Sequence, residues 1–194
     1  MNSRSPVPAA DTRQRILDVS TELFREHGYS GTSIRDIALR LGMTKAALYY
    51  HFNCKDDVLD ALVTPTITAI EAFIEEAEQS PGADPADLLR QFVLVLSRNV
   101  PMLATALGDP VVLRTEAGRF RLLEKHARLV ALIAGPEADE TRRLRAEAAL
   151  GAVRAAMETL APPCPSAEDP LAVQRNVERH LDTIVAAAVG ALQG

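Results

Sequence analysis

Apolar residues recur at three- and four-residue intervals through most of this chain, the pattern of helices that each bury one face. Ile16, Leu17, Val19, Ser20, Leu23 and Phe24 form such a face over 11–27, opened by a capping-box-like Asp11 and Gln14 and closed by Gly28. Ile34, Ile37, Ala38 and Leu41 predict a second helix over 33–41, with Thr32 as its cap. Gly42 tolerates positive φ and marks a tight turn. Thr44 then caps a short helix, Lys45–His51, with Ala47 and Leu48 turned inward and Phe52 packing back on the first helix. Asn53, with Asp56 in the capping-box position, opens a fourth helix to about Gln79. Its stripe is Val58, Leu59, Leu62, Ile70, Phe73, Ile74 and Ala77. Pro65 falls inside it, lacks an N–H and clashes with the preceding turn, so a kink or break is predicted near 61–65.

Asp84-Pro85 with Asp87 is a strong helix start. The run Phe92–Leu96 taken alone suits a strand, but the cap and the lack of any partner strand decide for a central, buried helix. Pro101, Gly108 and Asp109-Pro110 predict one or two short helices between 100 and 116. Further helices are predicted over about 118–134, with Leu122, His126, Leu129, Val130 and Ile133 inward, and over about 138–160. A rigid Pro-rich connection, Ala161–Pro165, precedes a last helix from Asp169-Pro170. It carries Val173, Val177, Leu181, Ile184, Val185, Ala188 and Leu192. The fold class is all-α. Leu144, Ala148, Gly151 and Ala155 form a strip of mostly small residues on the penultimate helix. Periodicity leaves open whether the faces of these last two helices pack within the chain or against a copy of it.

Hydrophobic residues make up 47% of 194, enough for a sizeable core. The net charge of –5 taken alone argues against nucleic acid, but its distribution does not. Residues 1–55 hold 8 Lys and Arg against 5 Asp and Glu, net +3, and residues 56–194 hold 13 against 21, net –8. A mildly basic head on an acidic body suits a protein that meets phosphate with one end. Residues 1–10 are expected to be a disordered tail without the apolar run of a signal peptide. No stretch approaches the roughly 20 apolar residues of a membrane span, so a cytoplasmic protein is expected. Cys54 and Cys164 suggest no disulfide framework, and no structural zinc site, cofactor loop or nucleophile–base constellation stands out. A thiol activated beside Lys55 is the alternative reading of Cys54.

Two short helices joined by a glycine turn form the layout of a helix-turn-helix, whose second helix enters the major groove. Four segments carry a resemblance to the DNA-binding domain of the TetR family of bacterial transcriptional regulators: Arg35-Asp36-Ile37-Ala38, Leu41-Gly42-Met43, Leu48-Tyr49-Tyr50-His51-Phe52 and Lys55-Asp56-Asp57-Val58-Leu59. It runs from about Thr12 to Leu62. Beyond that only the all-helical architecture is similar. The resemblance implies a head over 11–54, a ligand-binding and dimerisation body over 55–194, and a homodimer joined through the last two helices. It also implies a palindromic double-stranded DNA operator and repression relieved by a small molecule. A body that binds a protein partner, or nothing, is the alternative.

Lys45, in the first turn of the second short helix, is placed to donate to guanine O6 and N7. Ala46 shares that outward face. Thr44 offers a cap and a phosphate donor. Ser33 and Arg35 open the preceding helix, where the resemblance places an arginine near the groove edge; a pair with Asp36 or another surface acid is the alternative for Arg35. Tyr49 and Tyr50 point about 100° apart, so one is expected to pack and the other to face DNA. His51 is expected at phosphate or the helix end, and Lys55 to complete an anion site at a helix N-terminus. Phe92, Leu96, Met102, Leu103, Leu107, Phe120, Leu123 and Met157 lie on helices that the resemblance places around a pocket, with Asn99 and His126 as its candidate polar groups. His126 is otherwise a core histidine, and Arg98 and Arg114 are further polar candidates with solvent exposure as the alternative. Pro65 is either a pivot between head and body or a fixed kink.

Overall fold

The computed structural model describes residues 9–80, 82–98, 116–160 and 172–193, and the side chains of 11–80, 82–98, 123–160 and 172–193. The expected N-terminal tail, the short helices between 100 and 116 and the connection after 160 lie outside the described residues. Among those described, the chain is helical: α1 (Ala9–Gly31), α2 (Ile34–Arg40), α3 (Lys45–Tyr49), α4 (Lys55–Glu78), α5 (Pro85–Ser97), α6 (Glu116–Ala134), α7 (Glu140–Leu160) and α8 (Ala172–Gln193). No helix among them is long and apolar enough to cross a membrane.

The buried apolar residues fall into two clusters. Ile16, Leu23, Phe24, Tyr29, Ile37, Leu48 and Phe52 build the head core, joined by Val58 and Leu59 from the start of α4. Ile70, Phe73, Ile74 and Ala77, from the far half of α4, join α5, α6, α7 and α8 in the body core. Helix α4 thus contributes to both clusters. As its all-round apolar run demands, α5 touches four helices of the body, and Arg90 ties it to Asp182 of α8 at 2.7 Å.

Local chemistry sets the helix ends. Gly28 adopts φ 75° and breaks α1 internally, so regular helix stops where a glycine permits it. The cap of α2 is Ser33, not Thr32. Ser33 Oγ accepts from the Asp36 N–H, and the Asp36 carboxylate accepts from the Ser33 N–H at 2.9 Å. Thr32 is buried instead, with its hydroxyl directed at the carbonyls of Gly28 and Leu23. At the other end of α2, the Met43 N–H reaches Ala38 O and the Gly42 N–H reaches Leu39 O, with Gly42 at φ 65°. That Schellman ending turns the chain into α3.

The start of α4 also differs from expectation. Cys54 occupies the cap position without a side-chain cap bond, and Asp57 rather than Asp56 reaches back, accepting from the Asn53 N–H at 2.9 Å. Through Pro65 the helix continues unbroken to Glu78. Pro65 itself lies on the exposed side of the helix.

Hydrogen bonds hold two of these carboxyls below the ordinary aspartate value: for Asp36 the Ser33 hydroxyl and then its N–H, for Asp57 the Cys54 thiol and then Asn53. A carboxyl with a lowered folded pKa stabilises the fold above its unfolded pKa, and that contribution disappears as pH falls through the folded value. Asp57→Asn should therefore lower the thermal midpoint at pH 7. The gap to the parent should close as the pH drops below the ordinary value of 3.8. A gap that persists unchanged at pH 2 would show that the carboxylate charge is not what stabilises this end of α4.

Candidate nucleic-acid interface

Five residues are too few for a helix to persist alone in water, so α3 exists because the head core holds it. Leu48 is its anchor, fully buried, and Phe52 follows in the same core with the Arg13 guanidinium 4.6 Å above its ring. Thr44 caps the helix by accepting from the Ala47 N–H at 3.1 Å, which leaves its own O–H free to donate outward. With the inward side used by Leu48 and partly by Ala47, the rest of α3 faces solvent.

Lys45 and Ala46 lie exposed on that outer side, as the spacing predicted. The tyrosines do not divide as expected. Tyr49 is 48% exposed and Tyr50 81%, so neither packs in the core. Leu48 and Phe52 already fill the space beneath them. Tyr50 sets the edge of its ring against half-buried His51, centroids 5.2 Å apart and planes at 89°. Arg35 is exposed at the start of α2, while the Ser33 hydroxyl is engaged with Asp36. The surface thus brings together a lysine, an arginine, two phenols, an imidazole and a hydroxyl donor around one short helix.

Lys55 is the site residue that the structure reassigns. Its ammonium donates to the carbonyls of Tyr29 at 2.7 Å and Thr32 at 2.8 Å, and it lies 4.1 Å from the centre of the Tyr29 ring. Those carbonyls belong to the junction left after Gly28 interrupts α1. With its ammonium committed to these two carbonyls, Lys55 acts here as a charge-assisted clamp on the junction. Tyr29 completes the clamp: its hydroxyl donates to Asp56, and its ring meets Phe24 edge-on at 5.2 Å. Burial first, and then the Asp56 carboxylate, push the Tyr29 phenol well above the usual tyrosine range, so it remains a donor. Tyr29 and Asp56 are the working residues that periodicity missed. The signal lay in an aromatic placed directly after a helix-ending glycine.

The expected pocket is only partly brought together. Phe92, Leu96 and Met157 are buried in the body core. Leu123 is 57% exposed and is not part of that core. His126 is exposed as well, with Nε2 2.7 Å from Glu147 of α7. The inward position on that turn of α6 is taken by Lys125, which has a carboxylate to meet, so His126 rotates out. Arg98 is exposed. Asn99, Met102, Leu103, Leu107 and Arg114, and the side chain of Phe120, lie outside the described residues.

The model of bacterial regulatory proteins of the tetR family matches residues 16–62. Over 95 residues, 48% of this chain, there is 36% identity to the HTH-type transcriptional regulator AcrR of Shigella flexneri, covering 44% of AcrR. Over 91 residues, 47% of this chain, there is 28% identity to the HTH-type transcriptional repressor BepR of Brucella suis, covering 44% of BepR. Each match thus spans less than half the length of the curated relative. Among solved structures, the TetR family transcriptional regulator PfmR from Thermus thermophilus superposes with a TM-score of 0.58 at 28% identity. That superposition covers 89% of this chain and 97% of PfmR.

The Lys55 clamp makes a direct prediction. Lys55→Met should cost about 1–3 kcal/mol of head stability and speed amide exchange at Thr32 and in the first turn of α4. Tyr29→Phe, which removes only the bond to Asp56, should cost about 1 kcal/mol. Exchange at these amides unchanged in Lys55→Met would return Lys55 to the DNA-facing surface.

Proposed function

We propose that this chain is a homodimeric repressor of the tetR family of bacterial regulatory proteins, whose family model matches residues 16–62. Each subunit reads one half of a palindromic operator with α3, and a small molecule held in the body releases it. The observation that carries the reading is the outward face of α3: Lys45, Ala46, Tyr49 and Tyr50 project from a helix whose inward side is spent on the core. A helix on this mounting can enter the major groove, where Lys45 donates to guanine O6 and N7. Arg35, His51, the Thr44 hydroxyl and the tyrosine hydroxyls then meet phosphates on either side. BepR, named a repressor, supports the sign.

Dimerisation is supported by what α7 and α8 leave outside. Leu150, Val153 and Met157 of α7 point into the body core, whereas Leu144 is 63% exposed and Ala148 and Ala155 are exposed beside it. On α8, Ala186, Ala187 and Gly190 are likewise outward, and a Cβ added to Gly190 or Gly151 meets nothing within 4 Å. Small outward residues on two long helices let a second copy approach closely and form a four-helix contact. For the effector, Phe92, Leu96 and Met157 form the apolar wall of the proposed pocket. Leu123 and His126, on the surface, are withdrawn from it.

Selection from random DNA should return an inverted repeat whose binding weakens steeply with salt. Lys45→Ala should cost about 1–3 kcal/mol and relax preference at one position in each half-site. Recovery of unrelated sequences, or unaltered preference in Lys45→Ala, would reject α3 as the reader. Ala155→Arg should give a monomer in sedimentation and lose high-affinity binding. A full-strength dimer carrying Arg at 155 would move the interface elsewhere.

A further inference from the structure

The half of α4 that enters the body carries a charged cluster that neither the DNA-reading surface nor the expected pocket uses. Glu71 and Glu78 lie two turns apart on α4, and Lys125 and Arg128 lie one turn apart on α6. Lys125 pairs with Glu71 through Oε2. Arg128 donates to the other Glu71 oxygen at 2.5 Å, and with Nε and a terminal nitrogen to both oxygens of Glu78 at 2.9 and 2.7 Å. Lys125 is only 9% exposed. Burial, and secondarily Arg128, depress its pKa, so the ammonium depends on the facing carboxylate.

The apolar contacts around the cluster, Phe73, Ile74, Leu129 and Ile133, give cohesion without direction. They tolerate a small slide or rotation of α4. The ion cluster does not, because any shift that takes Glu71 from Lys125 leaves a buried charge unpaired. From Glu71 to Lys55 is 16 residues of helix, about 24 Å at 1.5 Å per residue. A tilt of a few degrees at the cluster therefore moves the head by roughly 1–2 Å.

We infer that Glu71, gripped by Lys125 and Arg128, is the positioning residue that fixes the angle of α4 and thereby the spacing at which paired heads read DNA. The spacing part rests on the dimeric reading proposed above, whereas the grip on α4 does not. Glu71→Gln alone leaves Lys125 unpaired and can fail to fold. The deciding variant is Glu71→Gln with Lys125→Met, which removes the buried ammonium together with its half-buried partner charge and keeps volume.

Two measurements decide. The first is affinity for inverted repeats whose half-sites are moved apart or together by one base pair. The double variant should keep the parent's half-site sequence preference while its discrimination between spacings falls by about tenfold, within the ordinary range of inter-site coupling. Spacing discrimination equal to the parent's would overturn the inference. The second needs no DNA. With Cys164→Ser, spin labels at native Cys54, which is exposed, and at Gln91→Cys on the outer side of α5 report the angle of α4. The label-to-label distance distribution should broaden or shift in the double variant. An unchanged distribution would overturn the grip. A parent protein with no sequence-specific binding would instead reject the proposed function, and the label distances would still decide the grip.

Discussion

Helix α4 has to satisfy two cores at once, and the rest of the chain is built around that constraint. Val58 and Leu59 belong to the head, and Ile70, Phe73 and Ile74 belong to the body. A helix is stiff on this length, so whatever fixes one half also constrains the other. The two halves are fixed by different chemistry. In the head, the Lys55 ammonium is held on two carbonyls beside the Tyr29 ring, and in the body Glu71 and Glu78 are held by Lys125 and Arg128. Both grips are charged and directional, placed where apolar packing alone leaves rotation free. Between them Pro65 sits exposed in an unbroken helix.

The Lys55 clamp changes how the head meets an anionic partner. With that ammonium facing inward and Arg40 paired with Glu26 at 2.8 Å, the cations left on the outer surface around α3 are few, Lys45 and Arg35 among them. A single head with net charge +3 over residues 1–55 has a modest electrostatic pull. On the proposed reading, affinity therefore depends on two heads binding together, and the geometry that α4 imposes matters more than the charge of either one.

Much of this fold was legible in the sequence, because helices announce themselves by period and by caps. Gly42, Thr44 and Asp84-Pro85 mark element ends where the structure has them. The inward role of Leu48 and the outward roles of Lys45 and Ala46 followed from spacing. The misreadings share one physical origin: periodicity describes a helix in isolation. It placed His126 inward, but Glu71 of a distant helix rewards Lys125 there. The helix-end reading gave Lys55 an anion site, but the carbonyls of Tyr29 and Thr32, in the junction after Gly28, take its ammonium in. Periodicity asked one tyrosine to pack, but Phe52, three residues beyond Tyr49, already occupied the space. Each outcome was set by a partner remote in sequence, which no local pattern contains.

The central claim is that α3, mounted on the head core and aimed by α4, reads the major groove in pairs. Footprinting of the full chain on a selected site tests it most directly, with hydroxyl radicals for the backbone and guanine N7 methylation for the groove. The account predicts two protected tracts on one face of the duplex, centred about 34–36 Å apart, each containing major-groove guanines shielded from methylation. One continuous or single tract, or backbone protection with every guanine N7 still reactive, would contradict it.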